Sequence, residues 1–177
     1  MESGQLTAYD KAQELAQSGN CQGALAAITE HLQANPEDGK ALNDAGAILY
    51  SLGRFDEALR SVEHAQSIEG NCPEILWNLA EIYLSQQRPD LAAELIPTME
   101  KQGIINADLL NRIATAFIDK DNKSDAIEAL LKSLELVPKQ EILNPVMEVL
   151  RSKRAKVAFF CGDNDSKFLP DILEFTT

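Results

Sequence analysis

Few side chains in this 177-residue chain could form a reactive centre. There are two histidines, His31 and His64, and three cysteines, Cys21, Cys72 and Cys161. Two histidines give metal ligation or general-base chemistry little to draw on. The cysteines show no CxxC and no paired spacing, so three free thiols in a reducing compartment are expected. Adjacent carboxylates, Glu37 with Asp38 and Asp56 with Glu57, could serve as acid and base. Each pair falls at a predicted helix start, where the helix dipole alone favours negative charge. No GxSxG, HExxH or P-loop is present. Asp163 and Asp165 open like a calcium loop, but the next ligand place holds Lys167. Gly162 is the only glycine of that loop, which rules out a dinucleotide loop. No catalytic residue, cofactor or metal ligand is predicted, and the chain by itself is not expected to be an enzyme.

Charge narrows the partners. With 16 basic and 28 acidic residues the net charge is −12. Such a surface repels phosphate backbones, so nucleic acid is not an expected partner. The one basic cluster, Arg151, Lys153, Arg154 and Lys156, reads as a helix end running into a charged linker, because cations suit helix C-termini. No run of about 18 apolar residues occurs, so no membrane-spanning helix is predicted. The opening "MESGQLTAYD" lacks the basic and apolar parts of a secretory leader, and a cytoplasmic location is expected.

The elements that would carry any site repeat. Ala24, Ala58, Ala92 and Ala126 recur at a step of 34 residues. The small residues Ala12, Gly46, Ala80 and Ala114 keep the same step. So do Leu15, Leu49, Tyr83 and Phe117; Ile28, Val62, Ile96 and Leu130; and Ala8, Leu42, Leu76 and Leu110. Each unit reads as a helix–turn–helix. Its first helix carries the small residue and, three places on, the large one, on one face. The turns centre on Gly19, Gly53, Gln87 and Asp121. Glycine suits the left-handed position that ends a helix, so the Gln87 and Asp121 turns are expected to be looser. Pro36, Gly70 and Pro138 close second helices.

These features resemble the tetratricopeptide repeat: the 34-residue step, the small residue of the first helix, the Gly53-Arg54-Phe55 turn, the alanine of the second helix and the terminal proline. The resemblance implies four units over 1–138, about 5–38, 39–72, 73–106 and 107–138, stacked as a right-handed α-solenoid with a continuous core and a concave face. A capping helix is expected over 139–154. The chain departs from the family pattern in two places. The tryptophan expected at Ala8, Leu42, Leu76 and Leu110 is absent, with Trp77 one place later. Lys11 stands where leucine is expected, so the first helix should pack least well.

By the resemblance, a protein or peptide ligand would lie on first-helix positions facing away from the second helices. Those positions are Tyr9, Asn43, Trp77 and Asn111, then Gln13, Ala47, Glu81 and Thr115, then Ala16, Tyr50, Leu84 and Ile118, flanked by Asn78 and Arg112. Amides there could hold a peptide backbone, and the indole and phenols could cover apolar side chains. The alternative for Trp77 and Tyr50 is packing between neighbouring helices. A carboxylate clamp of the co-chaperone kind is not expected. Asn43, Asn78 and Arg112 fit it, but Ala47 and Asp108 stand where the other two clamp residues belong.

The segment "AKVAFFCGDNDSKFLPDILEFTT" (155–177) departs from the helical pattern. Its apolar run reads as a buried strand, followed by a capped turn and a helix. It resembles the first βα unit of a two-lobed, Rossmann-like glycosyltransferase. That implies an alternative role as the recruiting or orienting region of a larger transferase, a glycosyltransferase or a methyltransferase.

Overall fold

The computed structural model describes residues 6–138, and every element in that span is a helix. Two compact bodies divide the chain after Ile105. The expected capping helix at 139–154 and strand–loop–helix at 155–177 lie outside the described residues.

The first body contains α1 (Ala8–Gln17), α2 (Cys21–Ala34), α3 (Gly39–Ser51), α4 (Phe55–Glu69), α5 (Pro73–Ser85), α6 (Pro89–Glu94) and α7 (Ile96–Lys101). The second contains α8 (Ala107–Asp119) and α9 (Lys123–Leu136). The fold is all-α and of the repeat-solenoid class. Side-chain caps start five of the nine described helices. Thr7 and Asp10 form a reciprocal capping box at α1, Asn20 caps α2 and Asp38 caps α3. Asn106 and Asn122 do the same for α8 and α9. Cys72 occupies the cap position of α5 without a side-chain bond.

The repeated columns are the core. Ala24, Ala58, Ala92 and Ala126 are each fully buried, as are Leu76, Ala80, Leu110 and Ala114. Burying one such leucine stabilises by about 1.5–3 kcal/mol relative to exposure. Gly46 shows why the first-helix position must be small. A Cβ there would sit 2.2 Å from Val62 Cγ2 and 3.3 Å from the Ala58 carbonyl oxygen. The α3 and α4 backbones approach that closely. The first helix is the poorest part: α1 buries only Ala12, and Lys11 is exposed.

Two expectations need correction. The turns at Gln87 and Asp121 are not looser than those at Gly19 and Gly53. All four residues are left-handed, with φ of 81°, 73°, 56° and 57° in chain order. All four turns close with the same pair of backbone bonds, for example Gly53 N–H to Tyr50 O and Gln87 N–H to Leu84 O, at 2.9 and 3.0 Å. The repeat imposes the geometry, and a non-glycine residue accepts the strain. The second correction concerns the second helix of the third unit. It is not continuous but is split at Leu95 into α6 and α7. Pro97 has no N–H to offer the Ala93 carbonyl one turn back, so the helical ladder cannot run through. The buried columns survive the split, with Ala92, Ile96 and Met99 at most 5% exposed.

Candidate functional site

In the first body, α1, α3 and α5 are tied to one another by side chains, three of the pairs spaced one repeat plus one residue apart. Tyr9 Oη donates to Asp44 Oδ2 at 2.5 Å, and Gln13 Nε2 donates to Tyr9 Oη at 3.1 Å. Asn78 Nδ2 donates to Asn43 Oδ1 at 2.8 Å. Ser85 Oγ donates to Tyr50 Oη at 3.1 Å, and Tyr50 Oη donates to Glu81 Oε2 at 3.3 Å. These bonds mark one polar face along the first helices of three consecutive units. Helical spacing places Trp77 and Glu81 one turn apart on it, and likewise Tyr9 and Gln13.

The expected site residues take distinct places on that face. Asn43 is 8% exposed, and its oxygen is committed to Asn78, so this amide fastens α3 to α5. Tyr9, Gln13, Tyr50, Trp77, Asn78 and Glu81 are half-buried. Tyr50 also meets Phe55 at a ring separation of 5.5 Å, which fixes its ring at the α3–α4 turn. Tyr9 stacks on His31 at 5.2 Å, with the Lys40 ammonium 5.7 Å from its ring centre. Burial, with the Asp44 hydrogen bond and charge added, pushes the Tyr9 phenol above its ordinary range, so it remains a donor.

In the second body, Asn111 Oδ1 accepts from the buried Ser133 Oγ at 2.6 Å, which joins α8 to α9. Thr115 Oγ1 donates to the Asn111 carbonyl at 2.9 Å. Arg112 is exposed, with Nη1 3.9 Å from Asp108 Oδ2. An acid therefore sits beside the one arginine that a carboxylate clamp would need.

Both histidines lie beside carboxylates. His31 Nε2 lies 2.8 Å from Asp38 Oδ2, while Asp38 Oδ1 accepts the Ala41 amide at 3.0 Å. That amide bond first, and His31 second, hold the Asp38 carboxyl below its ordinary range. His64 stands 3.6 Å from Glu37. Among the described residues no group of three or more His, Cys, Asp or Glu side chains is placed to hold a metal ion. Nor is any described helix long and apolar enough to cross a membrane.

The sequence reading missed Asp44 and Ser85. Both stand one place after a ligand column, where the offset of 35 between bonded partners, rather than 34, brings neighbouring units together. A polar residue directly after an aromatic or amide column was the available signal.

The helix pairs, the buried alanine columns and the tied first helices define a repeat protein built to present a face. The tetratricopeptide repeat family matches residues 9–68 and again 107–140. The chain belongs to the tetratricopeptide repeat family, whose arrays act as protein-interaction scaffolds. It is similar to the cytochrome c-type biogenesis protein CycH of Bradyrhizobium diazoefficiens, 26% identical over 119 residues. That alignment takes in 66% of this chain and 32% of the relative, so the chain spans about a third of the protein it matches.

Proposed function

We propose that the chain is a non-catalytic scaffold that binds a polypeptide segment of a partner protein along the first-helix face of its repeats. The observation that carries this reading is that Trp77 is only partly buried. Its neighbours Leu76 and Leu79 are at most 1% exposed, and the face it shares with Tyr50, Asn78 and Glu81 is already ordered by hydrogen bonds. An anchor held in place before binding loses little entropy on contact, which favours affinity. Aromatic side chains with a polar end are the commonest binding hot spots. The name of the Bradyrhizobium diazoefficiens relative makes cytochrome c-type biogenesis the first process in which to seek the partner.

The test is a titration of the intrinsic fluorescence of Trp77, the chain's one tryptophan, with candidate partner polypeptides. A saturable shift in emission is expected for the unmodified chain, and calorimetric titration, which needs no tryptophan, should show affinity falling at least about tenfold in Trp77→Ala, the cost typical of a hot-spot residue. Affinity unchanged in both Trp77→Ala and Tyr50→Ala, with both variants folded, would overturn the reading.

A further inference from the structure

The net charge of −12 is unevenly placed: residues 1–105 carry −10 of it and residues 106–177 carry −2. Within the first body Lys40, Arg54 and Arg88, three of the six cations, are engaged by neighbouring side chains. Arg54 forks onto Glu57 through two bonds of 2.7 Å, and the Arg88 guanidinium lies 5.7 Å from the Tyr83 ring centre. The helices that build the candidate face share this acidic balance. On α1, α3 and α5 the acids are Asp10, Glu14, Asp44, Glu74 and Glu81, and the bases are Lys11 and Lys40. Lys40 is held over the Tyr9 ring.

We infer that the segment bound on this face is cationic, a stretch of polypeptide with lysine or arginine beside an apolar or aromatic anchor. This inference rests on the scaffold reading above and gives the chemistry of the partner. Asp44 and Glu81 each accept a phenolic hydrogen bond from the same face. A carboxylate can accept more than one bond, so Asp44 can receive an ammonium or guanidinium beside the Tyr9 hydroxyl. Trp77, one turn from Glu81, offers a ring on which an arginine can stack. The field of the whole body acts in the same direction. A surface of one sign concentrates oppositely charged partners and speeds their encounter, and it repels acidic peptides, nucleic acids and anionic lipid surfaces.

The test is selection of a random 16-residue peptide library on the full chain, followed by counter-screening of the winners on Trp77→Ala. Peptides that lose binding on the variant use the face. Their net charge is expected to be positive, and their affinity should fall severalfold between 50 and 300 mM salt. Asp44→Asn, whose amide oxygen still accepts from Tyr9, should weaken them about two- to fivefold, whereas Glu63→Gln, at an exposed position of α4, should not. Trp77-dependent winners with zero or negative net charge would overturn the cationic assignment and leave the scaffold reading standing. A selection without any Trp77-dependent winner would overturn both.

Discussion

The second and third repeats are neighbours built on one register, yet they reach the same packing by different means. The second has a glycine turn at Gly53, a continuous 15-residue α4 and a capped first helix. The third has Gln87 at the turn, a second helix split at Leu95 and the uncapped Cys72 before α5. The buried columns nevertheless coincide, Ala58 with Ala92 and Val62 with Ile96. The core therefore dictates where the third unit's side chains go, and local propensity yields to it. The two stretches matched by the repeat family leave 69–106 between them, the span that holds these departures.

The largest effect should come from the position where the two repeats differ most inside the core. Met99, fully buried, occupies the register of Ala65. Its extra bulk sits in the split half of the helix, so the third repeat leans on a large side chain where the second uses backbone continuity. Met99→Ala should cost about 2–5 kcal/mol in denaturant unfolding. Ala65→Met should cost about 1–3 kcal/mol by overpacking. If the two costs were both negligible, the idea that the repeats fill this position differently would fail. Gly46 gives the next effect. A methyl there meets the stiff Val62 side chain and the Ala58 carbonyl, so Gly46→Ala should lose about 1–3 kcal/mol. At Ala80, its counterpart, the methyl is already accommodated, and Ala80→Gly should lose about 1 kcal/mol through helix propensity.

How much of this was legible beforehand follows from the physics of each feature. The columns that define the core were readable because burial selects residue size at a fixed step, and Ala24 through Ala126 keep it without exception. The expectation of loose turns at Gln87 and Asp121 failed because it weighed a residue's own preference above the frame that closes around it. Pro97 was visible in the sequence, but the strong Ala92 and Ile96 columns around it concealed the split. On the candidate face the columns of the repeat led to Tyr50 and Trp77, with Asn78 on their flank. They did not show that Asn43 is spent on Asn78, since pairing between repeats is a tertiary contact with an offset of its own.

Smaller gains should come from repairing the third repeat toward the second. Gln87→Gly relieves a left-handed non-glycine residue and should raise stability by about 1 kcal/mol. Asp121→Gly should do the same in the second body. Cys72→Asp supplies α5 with the cap that Asp38 gives α3, and should add about 1 kcal/mol. Thermal melts of the single variants and the double would show whether the gains add, as sites without shared partners do. A double variant no more stable than either single would mean that turn and cap are coupled through α5.

The smallest effect separates the charge of a cap from its hydrogen bond. The Asp38 carboxyl titrates below its unfolded value, so the folded state binds its proton more weakly than the unfolded state does. Its contribution is therefore present at neutral pH and is lost as pH falls through the depressed folded value. Asparagine caps a helix about as well as aspartate. Asp38→Asn should keep the bond to Ala41 while removing the proton linkage with His31 in reach. At pH 7 the variant should then lose no more than about 1 kcal/mol. Its stability should also decline less steeply on acidification from pH 5 to pH 3. The third repeat has no acid at the equivalent Cys72, so its Cys72→Asp variant should acquire a steeper acid limb. Parallel slopes for wild type and Asp38→Asn would show that the Asp38 cap works through geometry alone, as the asparagine caps Asn106 and Asn122 do.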